Sequence, residues 1–197
     1  MKVALTIAGL DPSGGAGVLA DIKTFSSFGV YGMGIVTSVT AQNSQGVNVS
    51  HPLTPNILIR QLESIFADFD VSAIKIGMLG SRAVAVSVVR FLRDIGFEKP
   101  IILDPILTSS SGATLLDPVA LNSMIRELVP IATLITPNLK EASVLSEIPV
   151  KTEKNMYEAA EAIRGLGPKA VLITGGHLKD RAMDLLYDGE EFFELAS

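Results

Sequence analysis

Short apolar runs alternate with amphipathic helical patterns along this chain, and that alternation restricts the fold more than any single motif does. Runs rich in Ile and Val occupy residues 3–8, 34–40, 74–76, 101–103, 133–135 and 170–173, several of them bounded by Gly or Pro. Most read as strands buried on both faces. Between them, residues 17–28, 55–66, 83–95, 118–128, 139–146 and 153–166 have helical spacing, each starting near a Ser, Thr, Asp or Asn. Alternation of this kind needs crossover connections, so it implies an α/β fold with a mostly parallel central sheet flanked by helices. After Ile173 the rhythm changes. Residues 183–187 and 191–195 flank Asp188-Gly189, a strong hairpin signal, so the sheet is expected to finish in antiparallel strands near the C-terminus. No repeat, low-complexity tract or linker divides residues 1–197, which are expected to form one domain.

Composition narrows the function classes. With 48% hydrophobic and 19% charged residues, the chain can bury a sizeable core and is not a disordered segment. Net charge is −5 and Lys and Arg do not cluster, so there is no electrostatic footprint for nucleic acid or an anionic membrane. The chain has no Cys and only two, isolated, His residues, His51 and His177, which excludes disulfides and thiolate sites and argues against zinc. Residues 3–8 are too short for a signal peptide and no apolar run reaches the length of a membrane span. A cytoplasmic setting is the expectation.

The stretch Gly9-Leu10-Asp11-Pro12-Ser13-Gly14-Gly15-Ala16-Gly17 follows the first apolar run and opens a helical pattern. Glycines let backbone approach a ligand, and a helix start offers free N–H groups to polar or anionic atoms. A Walker-type phosphate loop is excluded because no Lys follows the glycines. A dinucleotide fingerprint through Gly15, Gly17 and Ala20 lacks the acidic residue at the end of the next strand, where Thr37-Ser38-Val39-Thr40 stands. The remaining alternative is a turn in which Asp11 or Ser13 caps a helix. Polar groups also recur at the carboxyl ends of the other strands: Gln42-Asn43-Ser44, Gly77-Met78-Leu79, Asp104-Pro105, Thr136-Pro137-Asn138 and Thr174-Gly175-Gly176-His177. One such cluster is ordinary. Five on the edge where open α/β sheets bind ligands point to a site.

Taken in order, Gly9 to Gly17, Ala41-Gln42-Asn43, Lys75-Ile76-Gly77-Met78-Leu79, Ile135-Thr136-Pro137-Asn138 with Glu141-Ala142, and Gly175-Gly176-His177 resemble the hydroxymethylpyrimidine/phosphomethylpyrimidine kinases of thiamine biosynthesis, in the ribokinase-like superfamily. The resemblance spans essentially the whole chain. It implies ATP and Mg²⁺ as cosubstrates, phosphorylation of the hydroxymethyl oxygen of 4-amino-5-hydroxymethyl-2-methylpyrimidine, and a second phosphorylation of the monophosphate. Vitamin B6 kinases are close relatives, so a pyridoxine-type ring is the alternative substrate. Assembly as a homodimer is left open.

Residue by residue, the resemblance places Gly9, Asp11, Ala16, Gln42, Met78 and Ile106 at the substrate. Gln42 carries an acceptor and a donor on one plane, which suits the ring nitrogen and exocyclic amine of an aminopyrimidine. Its alternative role is to tie down the turn after its strand. Met78 offers soft apolar surface to a ring, or else fills the core. Gly9 and Ala16 bring backbone groups to the ring edge. Asp11 either orients the loop or faces substrate. At the phosphate end, the resemblance assigns Asp104 and Glu141 to Mg²⁺ and Asn138, Thr174, Gly175 and Gly176 to the nucleotide. Asn138 and Glu141 also have the spacing of an N-cap and its capping-box partner, and both roles are compatible. The family commonly has Lys where this chain has Thr174, with Lys140 and Lys179 as neighbouring cations. His177 is expected to serve loop structure, and His51 to sit in a loop or short strand. The family's catalytic Gly-Thr-Gly loop has no counterpart in residues 1–197. The resemblance puts it downstream of Ser197, so no catalytic residue is assigned within the chain. The chain is expected to be a kinase domain lacking that part and by itself inactive. The alternative from another class is a non-catalytic pyrimidine-binding module, the reading to expect if the protein ends at Ser197.

Overall fold

The computed structural model describes residues 1–107, 118–176 and 183–196. His177, Lys179 and Ser197 lie outside the described residues, and with them the point after which the catalytic loop is expected. Within the described residues one nine-stranded sheet forms, built from β1 (Val3–Leu10), β2 (Tyr31–Asn43), β3 (Gly46–Pro52), β4 (Ala73–Ile76), β5 (Ile101–Leu103), β6 (Leu134–Ile135), β7 (Ala170–Ile173), β8 (Met183–Tyr187) and β9 (Phe192–Ala196). Its order is β3-β2-β1-β4-β5-β6-β7-β8-β9. The six strands from β2 to β7 pair in parallel, and β8 and β9 close that end antiparallel. Leu5, Ile7, Ile74, Ile76, Leu103, Ile135, Val171 and Ile173 are buried, as runs covered on both faces require.

The helices are α1 (Gly17–Ser27), α2 (Pro55–Asp68), α3 (Arg82–Asp94), α4 (Pro118–Ser123), α5 (Leu139–Ser146) and α6 (Glu153–Arg164). Leu58 and Leu62 on α2, and Val84, Val88 and Leu92 on α3, recur at intervals of four and are buried. Each such side chain contributes about 1.5–3 kcal/mol of burial. Thr54, Ser81 and Thr152 cap α2, α3 and α6 through their hydroxyls, as the sequence predicts. No described helix is long and apolar enough to cross a membrane.

Three expectations need correction. The opposite edge of the sheet is also antiparallel, because β3 returns along β2 from Asn43↔Gly46 to Ser38↔Pro52 and puts His51 in a strand. A polar turn, with the Gln45 N–H donating to Asn43 Oδ1, joins the two. The pattern over 118–128 is not one α-helix: it widens into a π turn at Met124–Leu128 and a 3-10 turn at Val129–Ile131, where Pro130 has no N–H to continue the ladder. Finally, α1 is not capped by Asp11 or Ser13. Its N-cap is Ala16, without a side-chain hydrogen bond.

The connections place a topological switch between β1 and β4. From β1 the chain moves through α1 to β2 on one side, then returns through α2 to β4 on the other. Ligand crevices in open α/β sheets lie at this point, outside the strand carboxyl ends.

Candidate active site

The loop leaving β1 is held by Asp11, only 3% exposed. Its carboxylate accepts from the N–H and hydroxyl of Ser13 at 2.8 Å each and from the N–H groups of Gly15 and Ala16 at 3.2 and 3.0 Å. Burial alone would raise its pKa, but the hydrogen bonds from Ser13, Ala16 and Gly15 outweigh it and hold the carboxyl below its ordinary value. Of the two roles open to Asp11, this geometry supplies loop organisation. Gly17 closes the loop at φ +59°, and a Cβ there would stand 2.1 Å from the Gly9 carbonyl oxygen. Only glycine fits. Ala16 spends its N–H on Asp11, which leaves its methyl and carbonyl for a neighbour.

Next to this loop, a Cβ on Gly9 would meet the Met78 methyl at 2.6 Å. Met78 is half-buried and lies over Gly9 at the switch point instead of joining the core. Ile106 is near, its Cδ1 3.7 Å from where a Cβ on Gly77 would be. The Thr37 hydroxyl donates to the Met78 carbonyl at 2.6 Å and fixes the turn after β4. Gln42 joins through Thr40, whose Oγ1 is 2.9 Å from the Leu10 carbonyl and 3.2 Å from the Gln42 side chain. A bulge makes this possible. Ala8 pairs with Val36 but Leu10 pairs with Val39, so β2 carries one extra residue there. Buried positions accordingly shift from Met33, Ile35 and Thr37 to Ser38 and Thr40, with Gln42 half-buried beyond them.

The second cluster lies along β4 and β5. Lys75 on β4 holds both oxygens of Asp21 from α1 at 3.0 Å and approaches Asp104 Oδ2 at 3.7 Å, while the Thr6 hydroxyl donates to Asp21 at 2.6 Å. Glu141 is buried at the start of α5. It accepts from the Asn138 N–H at 2.9 Å and from the Leu107 N–H at 3.5 Å, while Asn138 Oδ1 accepts from the N–H groups of Lys140 and Glu141. The capping box is therefore formed. Burial pushes the carboxyl groups of Asp104 and Glu141 above their ordinary values, with Lys75 opposing it at Asp104 and the charge of Asp104 adding to it at Glu141.

Thr174 bridges to Asn138, its N–H donating to the Pro137 carbonyl at 3.0 Å. This brings the ends of β6 and β7 together. The need for glycine at 175 comes from β8: a Cβ there would stand 2.0 Å from the Met183 carbonyl, and Asp184 accepts the Gly175 N–H at 2.9 Å. Gly176 is exposed with nothing within 4 Å of a Cβ position, and Lys140 is exposed.

The phosphomethylpyrimidine kinase family model matches residues 11–197. A hydroxymethylpyrimidine/phosphomethylpyrimidine kinase of Rhizobium meliloti is 43% identical over 195 residues, covering 98% of this chain and 73% of that protein. The chain belongs to the phosphomethylpyrimidine kinase family. Among solved structures, a phosphomethylpyrimidine kinase of Clostridium difficile 630 superposes with a TM-score of 0.93 at 41% identity, covering 100% of this chain and 85% of that one. An ADP complex of Bacillus subtilis pyridoxal kinase gives 0.89 at 38% identity, covering 100% and 74%. An ADP-bound neighbour in a family of kinases supports ATP use.

In this family member, sequence reasoning missed Asp21, Thr37, Thr40 and Asp184 and gave Lys75 no role of its own. Lys75 was detectable: a cation between Ile74 and Ile76 in a buried strand needs a partner. For a metal, no group of three His, Cys, Asp or Glu assembles among the described residues. Asp104 and Glu141 offer the oxygen donors that suit Mg²⁺, which takes one or two carboxylates beside waters and substrate phosphates. Their raised carboxyl groups are the kind a cation would relieve.

Proposed function

We propose that the chain phosphorylates the hydroxymethyl oxygen of 4-amino-5-hydroxymethyl-2-methylpyrimidine from ATP, and then its monophosphate. The observation that carries this reading is the grouping of Gly9, Met78, Ile106 and Gln42 at the β1–β4 switch point, beside carboxylates on the next strand ends. Gln42 pairs with the ring nitrogen and amine, and Met78 and Ile106 cover the ring. Asp11 and Gly17 keep the loop shaped for it, with Ala16 at the ring edge. Asp104 and Glu141 hold Mg²⁺ directly or through water. When bound, the metal neutralises charge on the transferring phosphate. Lys75, paired with Asp21, orients Asp104. Asn138, Thr174, Gly175 and Gly176 face the nucleotide. The group that takes the hydroxyl proton is not assigned among the described residues and is placed downstream of Ser197, so ring binding is read separately from turnover.

Calorimetric titration with the aminopyrimidine and with pyridoxal tests the ring, and product mass after incubation of the full-length protein with ATP and Mg²⁺ tests transfer. The aminopyrimidine is expected to bind more tightly and to gain one, then two phosphates. Preference for pyridoxal in both measurements would overturn the pyrimidine assignment. Ring binding with no transfer would favour a binding module.

A further inference from the structure

The Thr40 hydroxyl faces two groups drawn as acceptors, the Leu10 carbonyl oxygen at 2.9 Å and Gln42 Oε1 at 3.2 Å. A threonine hydroxyl has one proton. A backbone carbonyl can only accept, so the proton belongs to the shorter contact with Leu10. Thr40 Oγ1 and Gln42 Oε1 would then be two acceptors facing each other, at a threonine only 6% exposed. Turning the amide by 180° resolves the conflict, since its oxygen and nitrogen have the same outline and are assigned by their partners. Nε2 then donates to Thr40 Oγ1. Gln42 keeps Oε1 and its second N–H for a ligand.

We infer that Thr40 is a positioning residue that locks the Gln42 amide in one of its two orientations and thereby selects the ring. The locked edge presents its donor on the side of Thr40 and its acceptor on the far side. An amine beside a bare ring nitrogen matches that edge. The analogue with oxygen in place of the amine carries its proton on the ring nitrogen, which reverses donor and acceptor. It matches only the turned amide. A hydroxyl tied to the Leu10 carbonyl therefore converts a two-way amide into a one-way reader. The inference rests on the pyrimidine reading and names the residue that sets its selectivity.

Calorimetry with the aminopyrimidine and its 4-oxo analogue tests it in wild type, Thr40→Val, Thr40→Ser and Gln42→Ala. Thr40→Val is expected to lower the amino-over-oxo preference about tenfold, the effect of one hydrogen-bonded partner. Part of that change is tighter binding of the oxo ring, which general damage to the sheet does not produce. Thr40→Ser retains the preference, and Thr40→Val in the Gln42→Ala background leaves the remaining preference unchanged. Thr40→Ala carries the same expectation as Thr40→Val if the valine variant does not fold. An equal loss of affinity for both rings, or an equal fall in preference without Gln42, overturns the inference. A wild type that binds the aminopyrimidine with no preference over the oxo ring overturns it while sparing the pyrimidine reading. Failure of wild type to bind either ring overturns both.

Discussion

The two ends of the candidate site are built from opposite materials. At the ring end, neutral groups carry the organisation: hydroxyls of Thr37 and Thr40, the Gln42 amide, glycines and a thioether. Its one carboxylate, Asp11, is saturated by the loop and sits below its ordinary pKa. At the phosphate end, Asp21, Lys75, Asp104 and Glu141 share a small volume, and two of the carboxyl groups are held above their ordinary pKa. The ring end is thus complete without a ligand, whereas the phosphate end holds charge that its surroundings do not balance. Shape selects a ring, and unbalanced charge recruits a cation and phosphates.

The severest way to break this contrast is at the loop. Gly17→Ala combines a left-handed backbone with a clash against the Gly9 carbonyl, each costing about 1–3 kcal/mol, or roughly 2–6 together. Urea unfolding should show that loss, and calorimetry the loss of ring binding. An unchanged midpoint would mean that the loop refits around a methyl group.

Next in size, Asp104→Asn and Glu141→Gln should each lower turnover of the full-length protein about 10²-fold, as removal of a transition-state electrostatic partner does. Pyrimidine affinity should hold within about twofold, a difference well under 1 kcal/mol. Equal losses of turnover and affinity would show the two ends to be one unit. Conversely, Gln42→Ala should weaken pyrimidine binding by about 1–3 kcal/mol with an unchanged melting temperature. A fall in melting temperature without a fall in affinity would give Gln42 a role in the turn alone.

The smallest effect is in pH dependence, where the ends have opposite signs. Asp11 binds protons less readily when folded, so its stabilisation is present above the ordinary carboxylate range and is lost as pH falls through its lowered folded value. Asp104 and Glu141 bind protons more readily when folded. Their contribution is present in acid and is lost as pH rises through their raised folded values. Asp104 keeps 32% of its side chain exposed, so Asp104→Asn should gain at most about 1 kcal/mol at neutral pH. Thermal melts across pH should show that gain shrinking toward acid, and Mg²⁺ should stabilise wild type more than the variant. A gain that grows toward acid would reverse the sign assigned to Asp104.

Much of this was legible because strand ends and glycine turns are written locally. The Ile- and Val-rich runs located the parallel strands, and Asn138 with Glu141 announced a capping box that does form. What stayed hidden depends on pairing. β3 is short and mostly exposed, with polar Asn48, Ser50 and His51 among its residues, so no apolar run marks it. Asp21 looks like any charge on a helix until Lys75 reaches it from 54 residues away. Thr40 looks like an ordinary β-branched strand residue, and its contact with Leu10 exists only once β2 lies beside β1.

The extra residue in β2 also sets a limit on how this chain can change by insertion or deletion. Removing one residue between Val36 and Val39 would restore an uninterrupted ladder with β1, a local gain in regularity. It would also exchange the two sides of everything that follows, bringing Val39 and Ala41 where Thr40 and Gln42 now face and turning the amide outward. The more regular sheet would be blind. Lineages descending from such a protein can vary the amino acids along this strand one at a time, but a change of its length by one has to be undone within the same few residues.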